Sequence, residues 1–158
     1  MRTGVALTDL WYVDSSVVLR IVKEGSPAAR RWFDQARMAG DMFIASQFMR
    51  LEVLRTLANA GLSLQTANDV ISRFILLALD DALVDEAISL ARPLRSADAL
   101  HVASAMRVGV DAITLVTHDA QMASAAKALG FKVIDPVTDD PGHPAIACSN
   151  VTTRSVMD

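Results

Sequence analysis

Trp11-Tyr12-Val13-Asp14-Ser15-Ser16-Val17-Val18-Leu19 is the stretch on which the fold turns. Three apolar strand formers run straight into an acid and two hydroxyls, and apolar positions then resume at helical spacing. The pattern predicts a short buried strand ending at Val13, then a helix capped by Ser16 that buries Val17, Val18 and Ile21 and breaks at Gly25.

The same strand-to-helix alternation continues along the chain. Ser26-Pro27 opens a second helix, with Trp32, Phe33 and Ala36 on one face and Gly40 at its end. Residues 42–45 read as a buried strand, and Ser46 caps a helix closed by Gly61, with Leu51, Leu54 and Ala58 as its core stripe. Ser63 caps a helix in which Ala67, Val70, Ile71 and Phe74 recur. A strand at 76–79 and a helix from Asp80 to near Arg92, ahead of Pro93, follow. The remaining pattern is a helix at 96–108 ended by Gly109, a strand at 112–116, a helix at 119–129 ended by Gly130, and a strand at 131–134. Parallel neighbours need crossover connections, so strands alternating with helices predict an α/β fold with a parallel sheet covered on both faces.

Composition bounds the rest. At 158 residues the chain matches one domain, against roughly 100–200 residues per domain. A hydrophobic content of 52% with 21% charged residues supplies an ample core and excludes a disordered chain. The longest apolar run, 74–79, is six residues, against the roughly 18–20 needed to span a bilayer. With no apolar leader stretch at the start, the expectation is a cytoplasmic protein without membrane contact. Cys148 is the single cysteine, which excludes an intramolecular disulfide and a multi-cysteine zinc site.

The formal net charge of -3 argues against holding nucleic acid on a broad positive surface, although local basic patches are compatible with it. Arginine makes up 12 of the 15 bases and aspartate 15 of the 18 acids. Genomic composition explains such counts, so position has to carry the functional argument.

Four acids stand out by position: Asp14, Glu52, Asp98 and Asp119. Asp14 follows the first strand, and Asp119 follows the strand at 112–116 after only Thr117 and His118. Both therefore belong at carboxyl ends of parallel strands, the edge where open α/β sheets bind ligands. Asp98, in the first turn of its helix, enters from the same edge, and Glu52 borders an apolar helix stripe. Taken singly, Asp14 suits a turn, Asp98 and Asp119 suit helix caps, and Glu52 suits a solvated helix face. Together they would repel one another and raise their own pKa values unless a divalent cation sat among them. An all-oxygen donor set favours Mg²⁺ or Mn²⁺ over zinc. Such a centre suits phosphodiester hydrolysis by metal-activated water, with no side-chain nucleophile. Ser16 and Thr117 are placed to hold these carboxylates, while Ser15 reads equally well as a turn hydroxyl.

At this point the sequence resembles the PIN-domain family and, within it, the VapC-type toxins of bacterial toxin-antitoxin pairs. The matching pieces are Tyr12-Val-Asp-Ser-Ser-Val-Val-Leu19, the Glu52 helix, Ser96-Ala-Asp-Ala-Leu-His-Val-Ala-Ser-Ala105, and Thr117-His-Asp119 followed by Ala125-Ala-Lys-Ala-Leu-Gly130. The resemblance implies a three-layer sandwich around a five-stranded parallel sheet of order 3-2-1-4-5. It also implies an Mg²⁺- or Mn²⁺-dependent endoribonuclease whose acidic quartet falls on Asp14, Glu52, Asp98 and Asp119, with RNA as its substrate. The further implications are a homodimer and a small antitoxin that inserts a peptide, often with a basic residue, into the site. On this reading 11–135 is the nuclease domain, and 1–10 and 136–158 are extensions outside the family pattern.

Other enzyme classes fit less well. An aspartyl-phosphate phosphatase wants a second Asp two residues after the first, where this chain has Ser16, and neither a glycine-rich dinucleotide turn nor a P-loop is present. A housekeeping RNA-processing nuclease and a non-catalytic RNA- or protein-binding module are the alternatives. His101, one turn after Asp98, is expected to be structural. His118 is a candidate for touching RNA, and Arg50 and Arg55 flank Glu52 as solvated ion-pair partners or phosphate contacts.

Overall fold

A computed structural model describes residues 8–138 apart from Glu24 and Arg92. Most of both expected extensions, and Cys148 with them, lie outside the described residues. The element order is β1 Leu10–Val13, α1 Ser15–Val22, α2 Pro27–Ala39, β2 Met42–Ser46, α3 Gln47–Asn59 and α4 Gln65–Ile71. It continues with β3 Phe74–Leu77, α5 Asp81–Ile88, α6 Ser96–Val108, β4 Thr114–Val116, α7 Ala120–Ala128 and β5 Lys132–Ile134.

The five strands form one sheet of order β3-β2-β1-β4-β5, and each neighbouring pair is parallel. The α/β class and the 3-2-1-4-5 order expected from the sequence are therefore present. Successive strand residues point to opposite faces, and the core divides accordingly. Val13, Phe43, Ala45 and Val116 pack with α1 to α4, whereas Tyr12, Ile44 and Leu115 pack with α6 and α7. The chain is thus a three-layer sandwich with helices on both faces. Strand order reverses at β1, leaving the crevice between the carboxyl ends of β1 and β4 as the ligand position of such sheets.

Local corrections follow physical causes. Asp14, not Ser16, caps α1, because its carboxylate accepts the Val17 amide and helical geometry already begins at Ser15. Helix α3 buries Met49, Val53 and Leu57 rather than Leu51, Leu54 and Ala58, and Leu51 is 53% exposed. Both triplets have helical spacing. The direct passage from Ser46 of β2 into Gln47 sets the helix rotation and turns Met49 inward.

Ser63 does not cap α4 in the usual way: its Oγ accepts the Gln65 amide, while Leu64 at the cap position supplies no side-chain bond. Strand β3 starts two residues earlier than expected, since Phe74 pairs with Phe43 in the sheet and its ring packs against Phe33 and Phe43. Helix α5 ends at Ile88 instead of near Arg92. Near the carboxyl end of the described chain, Val137 is 1% exposed and belongs to the core beside α1 to α4. No helix among the described residues is long and apolar enough to cross a membrane.

Candidate active site

Asp14 is the fixed point of the site. It leaves β1 with its amide bonded to the Val116 carbonyl, so the β1 and β4 ends are held side by side. Its side chain is 3% exposed. Ser16 Oγ donates to Oδ1 at 2.7 Å, and Thr117 Oγ1 donates to Oδ2 at 2.8 Å. A hydroxyl carries one hydrogen, and here each uses it on Asp14. The lone pairs then accept backbone amides of the β4–α7 turn: His118 N–H to Ser16 and Asp119 N–H to Thr117, both at 3.0 Å. Two side chains distant in sequence thereby lock one carboxylate to the loop carrying another acid. Burial raises the Asp14 pKa above the ordinary aspartate value, against the opposing influence of His101 and the hydroxyl and amide donors.

Glu52 projects from α3 toward the same edge. Its Oε2 accepts Ser15 Oγ at 2.8 Å and meets His101 Nε2 at 2.6 Å, while Oε1 has no hydrogen bond among the described residues. Partial burial pushes this carboxyl up, but the bond to His101, its charge and the Ser15 donor outweigh burial and hold it below the usual glutamate value.

Asp119 caps α7 through Oδ1, which accepts the Met122 amide at 2.8 Å. Asp98, in the first turn of α6, has no hydrogen bond to either oxygen among the described residues. Its pKa is raised by burial first and then by repulsion from Asp119, with a smaller push from Glu52; His101 and Arg95 pull the other way. Asp119 and Glu52 therefore both lie within electrostatic reach of Asp98.

The structure thus brings all four anticipated acids to one sheet edge, with Ser16 and Thr117 as the holders of Asp14. It does not close them into a preformed cage. Among the described residues no three His, Cys, Asp or Glu side chains are close enough together to hold an ion. The donor chemistry still fits a hard divalent cation: carboxylate oxygens on Glu52, Asp98 and Asp119 are left without hydrogen bonds beside a buried, oriented Asp14.

Three participants were less legible. Ser15, a turn hydroxyl on sequence grounds, holds Glu52. His101, expected to be structural, is 2% exposed and meets Glu52 through Nε2, while its buried Nδ1 has no hydrogen-bond partner among the described residues; its place one turn after Asp98 is the available signal. Asp135, just past β5 at the same edge, binds the His118 ring at 2.9 Å and was not singled out. Arg50 and Arg55 line a separate hollow with Leu51 and Leu54 and make no ion pair among the described residues.

A buried acid after β1, held by hydroxyls from the β1 and β4 ends, matches what the sequence motifs implied, and the PIN domain model matches residues 11–128. The chain belongs to the PIN-domain family.

Known proteins resemble it over most of its length. It is 37% identical over 128 residues to Ribonuclease VapC46 of Mycobacterium tuberculosis strain ATCC 25618 / H37Rv, covering 79% of this chain and 96% of that protein. Ribonuclease VapC47 of the CDC 1551 / Oshkosh strain is 28% identical over 133 residues, covering 79% and 96% respectively. In fold, the crystal structure of VapBC2 from Rickettsia felis bound to a promoter DNA fragment aligns with a TM-score of 0.62 at 10% identity. That alignment covers 80% of this chain and 98% of the other.

Proposed function

We propose that this PIN domain is a metal-dependent endoribonuclease that acts as the toxin of a toxin-antitoxin pair and hydrolyses RNA phosphodiester bonds. The observation that carries the reading is the pairing of an over-held Asp14 with under-held Glu52, Asp98 and Asp119 at one sheet edge. The kinship to Ribonuclease VapC46 supports it.

Asp14, Glu52, Asp98 and Asp119 are the residues to hold Mg²⁺ or Mn²⁺. When bound, such an ion acidifies water and offsets the negative charge that builds on the phosphate and the leaving oxygen. The chain's own residues prepare for this. Ser16 and Thr117 fix both oxygens of Asp14, so that no reorganisation of that carboxylate is needed. Ser15 and His101 fix one oxygen of Glu52 and leave the other available. Unmatched negative charge also suits an inhibitor that brings a cation, which is the chemistry of a small antitoxin inserting a basic residue. A homodimer in the cytoplasm completes the proposal.

The test is incubation of purified, antitoxin-free protein with cellular RNA in Mg²⁺, Mn²⁺ or EDTA, with Asp14→Asn alongside. Cleavage in one or both ions, lost in EDTA and in the variant, together with growth arrest on expression, is expected. A folded protein that cuts no RNA in either ion overturns the nuclease reading. Cleavage without growth arrest overturns the toxin assignment and leaves an RNA-processing nuclease.

A further inference from the structure

A groove of about 440 Å³ runs along the outer side of α1 and is lined by Ser16, Leu19, Arg20, Lys23, Gly25 and His118. Its inner end, at Ser16 and His118, adjoins the candidate active site, because Ser16 donates to Asp14 and accepts the His118 amide. Its outer end carries two exposed cations, Arg20 and Lys23, three residues apart and therefore on one side of the helix end.

We propose that Arg20 and Lys23 bind a phosphodiester group of the RNA strand neighbouring the one that is cut. The inference rests on the nuclease reading above and adds a strand-binding site to it.

The charge arrangement carries the argument. Four carboxylates and a net charge of -3 repel a polyanion, so productive binding needs cations close to the site that are not already neutralised. Arg30 is occupied by Asp34, and Arg107 by Asp80 and Glu86. Arg20 and Lys23 have no ion pair or side-chain hydrogen bond among the described residues. The His118 ring is held by Asp135 and forms a wall of the groove. Arginine offers a planar fork for phosphate oxygens and lysine a mobile point charge, so the pair holds a backbone phosphate without reading bases. A strand lying in this groove runs from the two cations to Ser16 and His118, the residues that adjoin Asp14.

The experiment compares Arg20→Ala/Lys23→Ala with wild type in the full chain. Equilibrium binding of a fluorescent RNA oligonucleotide is read by anisotropy in EDTA over a range of salt concentrations, so that the readout does not depend on cleavage. The variant is expected to bind about tenfold more weakly, and its slope of log affinity against log salt should be shallower by about 0.7, the value for one lost single-strand phosphate contact. In Mg²⁺ or Mn²⁺, KM should rise by a similar factor with kcat nearly unchanged. The charge-preserving Arg20→Lys/Lys23→Arg should recover most of the affinity. Arg31→Ala/Arg37→Ala, an equal charge change on exposed α2 positions outside the groove, should leave affinity near wild type. Unchanged affinity and salt slope in the first variant, or an equal loss in the α2 control, overturns the proposal. Wild-type protein that binds RNA through the groove but never cuts it would instead overturn only the nuclease reading.

Discussion

Two pairs of carboxylates sit on neighbouring helices and have opposite surroundings. Asp80, the cap of α5, and Glu86, on α5, are both gripped by Arg107 of α6, with Nη2 at 3.0 Å from Asp80 Oδ1 and Nε at 2.9 Å from Glu86 Oε2. The Arg107 hydrogen bonds hold both carboxyls below their usual values. Asp98 and Asp119, at the sheet edge, lie near each other without a matching base, and Asp98 is pushed up by burial and by Asp119. Matched acids fasten two helices together. Unmatched acids cost stability unless a cation arrives, so a fold that keeps them gains something other than stability from them.

The contrast is broken most decisively by neutralising one member of each pair. Asp98→Asn should lower the RNA cleavage rate by at least about a thousandfold, as expected for losing a ligand of a charge-stabilising centre. Its metal-free melting temperature should be equal to or above wild type, because a repelled charge has been removed. Asp80→Asn should do the reverse, leaving cleavage intact and lowering the melting temperature slightly, with less effect in high salt. Steady-state cleavage assays and thermal melts of the two variants decide the matter; equal activity in both would erase the distinction.

Loss of a holder rather than a ligand is a smaller blow. Thr117→Val keeps the shape but removes the donor to Asp14 Oδ2 and the acceptor for the Asp119 amide. Cleavage should fall by about 10- to 100-fold, with weaker Mg²⁺ or Mn²⁺ binding by titration calorimetry. Ser16→Ala tests the other oxygen in the same way.

The smallest expected effect is on stability against pH. Asp14 and Asp98 have raised pKa values in the metal-free fold, so between their unfolded and folded values the native state binds more protons than the unfolded one. Their contribution to stability is therefore lost as pH rises through that window. Glu52 has the opposite sign: its lowered value gives stability above the ordinary glutamate range that disappears on acidification. A divalent ion competes with the protons on Asp14 and Asp98. Thermal melts should show Mg²⁺ or Mn²⁺ raising the melting temperature at neutral pH, with the increment vanishing as the solution is taken below the carboxylate range. An increment independent of pH would place the ion elsewhere.

How much of this was legible depends on whether a signal is local. Ser26-Pro27 with Gly40 marked α2, and Gly109 marked the end of α6, because a cap and a glycine at positive φ act within a few residues. The rotation of α3 was not legible. Its sequence offers two apolar triplets that both follow helical spacing, and only the junction with β2 and the sheet beneath select Met49, Val53 and Leu57. Strand β3 shifted for a related reason: the run 74–79 is apolar throughout, and the partner rings of Phe33 and Phe43 chose Phe74 as its start.

The sequence by itself determined the alternation of strands and helices and the acids at their ends, since periodicity, caps and turn residues are properties of neighbours in the chain. Tertiary structure decided which hydroxyl serves which carboxylate. Thr117 reaches Asp14 across 103 positions and His101 reaches Glu52 across 49. Such pairings arise only after parallel strands bring their carboxyl ends to one edge, where burial and like charge then set how each acid holds its proton.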